Sequence, residues 1–80
     1  MATKSDLKKW VMESLGSRGG AAHHIQVAKD VWERHEDELR ASGDLFYTWQ
    51  YDLRWAAQRL RDSAALLPDE ETPRGVWSLP

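Results

Sequence analysis

The sequence predicts a mainly α-helical fold completed by a small antiparallel β-hairpin. Three observations support this. Apolar residues recur at helical spacing in three successive stretches: Leu7, Trp10, Val11 and Leu15; Ile25, Ala28, Val31 and Trp32; then Trp49, Leu53, Ala56, Ala57, Leu60 and Ala64. Turn-forming residues separate them, first Gly16 with Ser17-Arg18-Gly19-Gly20 and then Ser42-Gly43-Asp44. After the third stretch the pattern changes to Ala65-Leu66-Leu67, a polar segment over 68–75, and Val76-Trp77-Ser78-Leu79, which alternates as a strand does.

The first helix is expected over about residues 4–15. Thr3 and Asp6 stand at the spacing of a capping box, and Gly16 is the expected left-handed stop. Ala21-Ala22-His23 reads as a short extended piece. The second helix starts near residue 24 and reaches about residue 35 or beyond. The pattern leaves open whether it runs to Arg40, where Glu36 and Arg40 would pair at i, i+4, or breaks near His35. Leu45-Phe46-Tyr47 reads as an apolar connector, with Thr48 as N-cap of a third helix over about 49–63. The hairpin strands are expected at 65–67 and 76–79, with Trp77 and Leu79 facing the core. A lone hairpin is marginal in water, so it must pack on the helices. The expected core is Trp10, Val11, Ile25, Val31, Trp32, Trp49, Leu53, Leu60 and Trp77. Three helices followed by a hairpin make a winged helix-turn-helix, here a single domain over 1–80.

Eighty residues make one small domain, and the five Trp help so short a chain to build a core, because aromatic rings bury large areas. The absence of Cys excludes disulfides and thiolate metal sites. The N-terminal residues through Asp6 lack the apolar core of a signal peptide, no stretch is apolar enough to span a membrane, and a cytoplasmic location is expected. The net charge of −2 weighs against nucleic-acid binding, which draws on a basic footprint. The charges are unevenly spread, however. Acidic residues gather at Glu33, Glu36, Asp37 and Glu38 and again at Asp69, Glu70 and Glu71, apart from Lys4, Lys8, Lys9, Arg54, Arg59 and Arg61.

The side of the third helix opposite its apolar stripe carries Tyr51, Arg54, Gln58 and Arg61, flanked by Trp55 and Asp62. Arginine suits guanine and phosphate, and glutamine suits adenine. Trp55 is expected to be packed, as large aromatics mostly are. His23, His24 and His35 invite a metal reading, but adjacent histidines on a helix point apart and no suitably spaced carboxylate completes a tetrahedral set. No metal and no cofactor is expected. Catalytic groupings are lacking too: Ser17-Arg18-Gly19-Gly20 has no flanking strand and helix to make a phosphate loop, and the chain is not expected to be an enzyme.

Arg54-Trp55-Ala56, Leu60, Leu66-Leu67 and Arg74-Gly75-Val76-Trp77-Ser78-Leu79 resemble the N-terminal winged-helix domain of Mrr-type restriction endonucleases, with the earlier helices in the same order. Two features depart from that family. Ala64-Ala65 stands where it usually has a Gly, and the wing tip is the acidic Asp69-Glu70-Glu71. The resemblance implies a DNA-reading accessory domain of the restriction type, attached in that family to a separate nuclease. It implies a double-stranded DNA partner, the third helix in the major groove, and DNA contacts from Tyr51, Arg54, Gln58, Arg61 and Arg74. The alternative is a winged-helix module that binds a protein partner and no DNA, which the acidic end of the second helix and the acidic wing favour. Charge geometry discriminates. Arg54, Arg59, Arg61 and the N-terminal lysines on one face would favour DNA, and interrupting acids would favour a protein.

Overall fold

The computed structural model describes residues 2–80. Its elements are α1 (Lys4–Ser17), β1 (Ala21–His23), α2 (His24–Arg40), α3 (Leu45–Asp62), one 3-10 turn (Asp69–Glu71) and β2 (Val76–Ser78). The fold is mainly helical, with β1 and β2 forming a two-stranded antiparallel sheet in which Ala22 lies opposite Trp77. None of the described helices is long and apolar enough to cross a membrane.

The helix ends follow from local chemistry. At the start of α1 the Asp6 carboxylate accepts the Thr3 N–H at 2.9 Å, the contact that the capping-box spacing anticipates. The stop is not Gly16, which lies inside the helix, but Gly19, whose φ of 80° lets the Gly20 N–H turn back to the Leu15 carbonyl at 2.8 Å. In α2 the His23 ring accepts the Ile25 N–H at 3.2 Å, and the helix runs to Arg40 with a kink at His35 (φ −129°). The His35 ring lies flat on Trp10 of α1 at 3.9 Å, and its nitrogens reach Glu38 at 2.9 Å and Glu13 at 3.0 Å, so tertiary contacts hold the bend. Beyond it the Glu36–Arg40 pair forms at 2.8 Å.

α3 begins a full turn earlier than its sequence pattern suggests. Leu45-Phe46-Tyr47 is its first turn, because Leu45 packs into the core while Tyr47 faces out. Thr48 is therefore not a cap; its hydroxyl donates to Asp52 at 2.7 Å. At the far end, Ala64 takes the left-handed conformation (φ 64°), the Ala65 N–H reaches the Leu60 carbonyl at 2.9 Å and the Ala64 N–H reaches that of Arg61 at 3.0 Å. This is a Schellman stop with alanine in the position where glycine is unstrained. Ala64→Gly is expected to stabilise the protein by about 0.5–1 kcal/mol, the relief of strain being partly offset by the freer unfolded chain. A thermal midpoint a few degrees higher in the variant would show it.

The expected hairpin is replaced by a different pairing. β2 pairs with β1, the extended piece between α1 and α2, and residues 65–67 contribute only the Leu67 N–H to the Ser78 carbonyl at 2.9 Å. The left-handed turn at Ala64 and the missing N–H of Pro68 leave residues 65–67 too short for a ladder, and Leu66 is buried. β1 meets neither obstacle. Its ladder with β2 extends at both ends, through His24 N–H to the Gly75 carbonyl at 2.9 Å and Leu79 N–H to that of Gly20 at 2.7 Å.

The core lies among the three helices, with α1 packed chiefly on α3. Trp10, Val11, Val31, Trp49, Leu53, Leu60 and Trp77 are buried as expected, and Trp32 is half-buried. Ile25 is not part of the core: it is 53% exposed, and Val27 is buried in its place. Residues 25 and 27 stand about 200° apart round a helix, so only one of them can face inward. The packing of α2 selects the face of Val27 and Val31.

Candidate nucleic-acid interface

Successive residues of a helix are about 100° apart, which places Tyr47, Tyr51, Arg54 and Gln58 within about a 60° sector of α3. All four are exposed, Tyr47 at 83% and Tyr51 at 79%, while Trp49, Leu53, Ala56, Ala57 and Leu60 fill the buried side. Two open tyrosines on one ridge, with an arginine and a glutamine following them, leave a polar-aromatic face that no other element covers. Tyr47 escaped the sequence reading because the helix was expected to start at 49. The signal was present in its spacing, one turn before Tyr51. The Gln58 amide donates to Asp62 at 2.9 Å, one turn on, which orients it along the ridge.

On one side of the ridge a groove of about 620 Å³ separates α3 from β2 and the turn before it, and Arg54, Gln58, Arg61 and Arg74 all border it. Gly75, with φ 80°, makes this approach possible. A Cβ there would stand 2.8 Å from the His23 ring, so only glycine lets Arg74 be carried past the start of α2. Burial, with electrostatic repulsion from the neighbouring His23 and Arg54, pushes His24 below the ordinary histidine value, so His24 disfavours its charged form there. The cationic character of this side therefore rests on the arginines.

Of the five residues singled out from the sequence, Tyr51, Arg54, Gln58 and Arg74 are exposed. Arg61 is held within the fold. Its side chain is 14% exposed, Nη2 donates to the Val76 carbonyl at 3.2 Å, Nη1 stands 3.5 Å from Asp69, and Nε is buried with no partner among the described residues. It fastens the end of α3 to β2 and to the 3-10 turn. Arg61→Ala is expected to cost about 1–3 kcal/mol of folding stability by leaving the part-buried Val76 carbonyl without its donor and stripping away a packed stem. Urea denaturation measures it, and an unchanged midpoint would contradict the role.

Trp55 lies on the other side of the ridge, half-buried between α3 and α1. Lys4 Nζ stands 5.3 Å from its ring centre, Lys8 Nζ 5.8 Å and the Arg59 guanidinium 5.8 Å. The ridge, with its own Arg54, is thus flanked by Arg74 on one side and by Lys4, Lys8 and Arg59 on the other. Asp62 at the ridge and Asp69 beside Arg61 interrupt this pattern. The other large group of acids lies at the far end of α2, where Glu36 and Glu13 engage Arg40 and Arg34. Among the described residues no three His, Asp or Glu side chains converge as a metal site, and His23 and His24 stack on each other at 4.4 Å.

No protein-family model matches the chain, and no curated protein or solved structure matches it significantly.

Proposed function

We propose that this chain is a winged-helix module that binds double-stranded DNA, with α3 as the reading helix in the major groove. The observation that carries this reading is the uncovered face of α3, on which Tyr51, Arg54 and Gln58 stand in line between two cationic flanks. A helix with its side chains is about 10–12 Å across, which suits the roughly 12 Å width of the major groove. Arg54 offers paired N–H donors to the O6 and N7 of guanine, and Gln58 offers a donor and an acceptor to adenine. Arg74 is exposed on the segment before β2, and in this reading that segment is the wing and Arg74 meets a backbone phosphate. The likeness to the N-terminal domain of Mrr-type endonucleases, carried by the residues of α3 and β2, supports an accessory DNA-reading role.

Titration with mixed-sequence duplex at two salt concentrations, following the amide signals of residues 49–63, tests the reading. Arg54→Ala is expected to weaken binding by about 1–3 kcal/mol if it reads a base, and to reduce the salt slope by about 0.9 if it binds a phosphate. Gln58→Ala should change sequence preference more than affinity, since an amide adds readout without releasing counterions. Absence of duplex-induced shifts at low salt would overturn the proposal.

A second reading, a protein-interaction module, draws on Asp62 and Asp69, which interrupt the cationic pattern, and on one separate observation. An open groove of about 720 Å³ between α2 and α3 has a mainly apolar lining that includes Trp32, Phe46, Trp49 and the exposed Ile25. Exposed apolar surface of this kind marks interaction sites in other proteins.

A further inference from the structure

We infer that Lys4, Lys8 and Arg59, gathered round Trp55, form a second phosphodiester-binding surface on the α1 side of α3, so that the duplex is held by its backbone on both flanks of the reading helix. This inference rests on the DNA-binding reading and adds to it a contact made by α1.

Three like charges converge on one aromatic ring, and a single carboxylate, that of Asp52, is in ion-pair contact with any of them. All three cations lie within 5.8 Å of one ring centre. Arg18, Arg34, Arg40 and Arg61 pair with Asp30, Glu13, Glu36 and Asp69, while other cations such as Arg54 and Arg74 stand singly without an ion pair among the described residues; what sets the Trp55 cluster apart is that three cations meet at one ring. Around Trp55 the carboxylate that takes part is Asp52, 3.6 Å from Lys4, and its side chain is only 5% exposed and already accepts the Thr48 hydroxyl. Lys8 and Arg59 have no carboxylate within ion-pair distance among the described residues. They share a shallow groove with Asp62, whose carboxylate accepts the Gln58 amide and stands beyond ion-pair distance of both. An aromatic face attracts cations through its quadrupole and brings no countercharge. It can therefore collect ammonium and guanidinium groups while leaving them free to meet an anion. Three mutually repelling cations held this way form a surface that an anionic ligand would relieve.

The position of the cluster selects the ligand. Arg59 lies about 140° round α3 from Arg54, and Trp55 about 100°. A helix lodged in a groove about 12 Å wide meets phosphates at its flanks and bases at its tip. Arg54 and Arg74 stand towards one strand, and the Trp55 cluster stands towards the other. The recognised group is the phosphodiester itself, so these contacts position the protein and carry no sequence information.

The experiment uses the whole chain, a mixed-sequence duplex and a series of salt concentrations. The test variant is Lys8→Gln with Arg59→Gln; Lys4 is retained because it also pairs with Asp52. The salt slope of log Kobs is expected to fall by about 1.8, the amount for two lost phosphate contacts, with sequence preference unchanged. The charge-conserving pair Lys8→Arg with Arg59→Lys should keep the slope. In the unaltered protein the Trp55 indole N–H signal should shift when duplex is added, a readout that does not depend on the variants folding. A slope equal to that of the wild type, or an indole signal that stays in place while residues 49–58 respond, overturns the second surface and leaves α3 as the reader. Complete absence of duplex binding by the unaltered chain overturns both.

Discussion

Trp77→Ala is expected to lower folding stability by about 3–5 kcal/mol, the range for large aromatic truncations in cores. Trp77 is 6% exposed and stands in the middle of β2, opposite Ala22. Its ring lies 6.0 Å from that of His24 and helps to line the grooves on both sides of Arg54. Two strands of three residues each cannot hold themselves together in water, so the sheet depends on side chains that enter the helical core. Trp77 is the large residue of β2 that does so. Its removal would open a cavity and weaken the docking of β2, and with it the placement of Arg74. Small domains have only about 5–15 kcal/mol of stability in total, so the loss would be a large share. A thermal midpoint lowered by at least about 12 °C is expected, with Trp77→Phe falling between the two proteins. An unchanged midpoint would contradict the burial.

Asp30→Ala is expected to cost about 1–3 kcal/mol at neutral pH, and most of that difference should vanish in acid. Asp30 is 7% exposed, and its carboxylate accepts the Ser14 hydroxyl at 2.7 Å and a forked pair of bonds from Arg18 at 2.7 and 2.9 Å. Ser14 is fully buried, so truncation leaves its hydroxyl without a partner in the space between α1 and α2. The Arg18 hydrogen bonds, assisted by that of Ser14 and opposed by burial, hold the Asp30 carboxyl down to about 2. A carboxyl with a depressed value in the folded state binds its proton more readily when unfolded. Its contribution is therefore complete above about pH 4 and is lost as pH falls through about 2. Stability curves of the wild type and the variant should be parallel from neutral pH to about pH 4 and then converge. A constant difference down to pH 2 would place the effect in packing alone.

Much of this molecule was legible in its sequence. The three apolar stripes placed three helices in the right order, because a period near 3.6 survives any detail of packing. The spacing of Tyr51, Arg54 and Gln58 opposite Trp49, Leu53 and Leu60 defined the exposed face of α3 for the same reason. Where the sequence reading slipped, local signals competed. Gly16 was the expected stop of α1, with Gly19 in the loop beyond it, but the left-handed residue is Gly19, after which the Gly20 N–H bonds back to Leu15. Thr48 had the chemistry of a cap, yet burial of Leu45 drew the helix four residues further back and brought Tyr47 on to the ridge.

Tertiary structure alone decided the rest. Strand pairing is a contest between segments far apart in the chain, and β1 won it because residues 65–67 are consumed by the stop of α3 and by the burial of Leu66. That pairing brings β2 across the end of α3 and takes Arg61 from the exposed face into the fold, where it bonds the Val76 carbonyl. The choice of Val27 over Ile25 depends on which side of α2 meets its neighbours, and periodicity does not specify it. The gathering of Lys4, Lys8 and Arg59 round Trp55 required α1 to lie along α3. The sequence by itself determined which residues repeat on one face of each helix, since that depends only on covalent geometry. The structure decided which faces meet, since that depends on the shapes and charges of segments that only folding brings together.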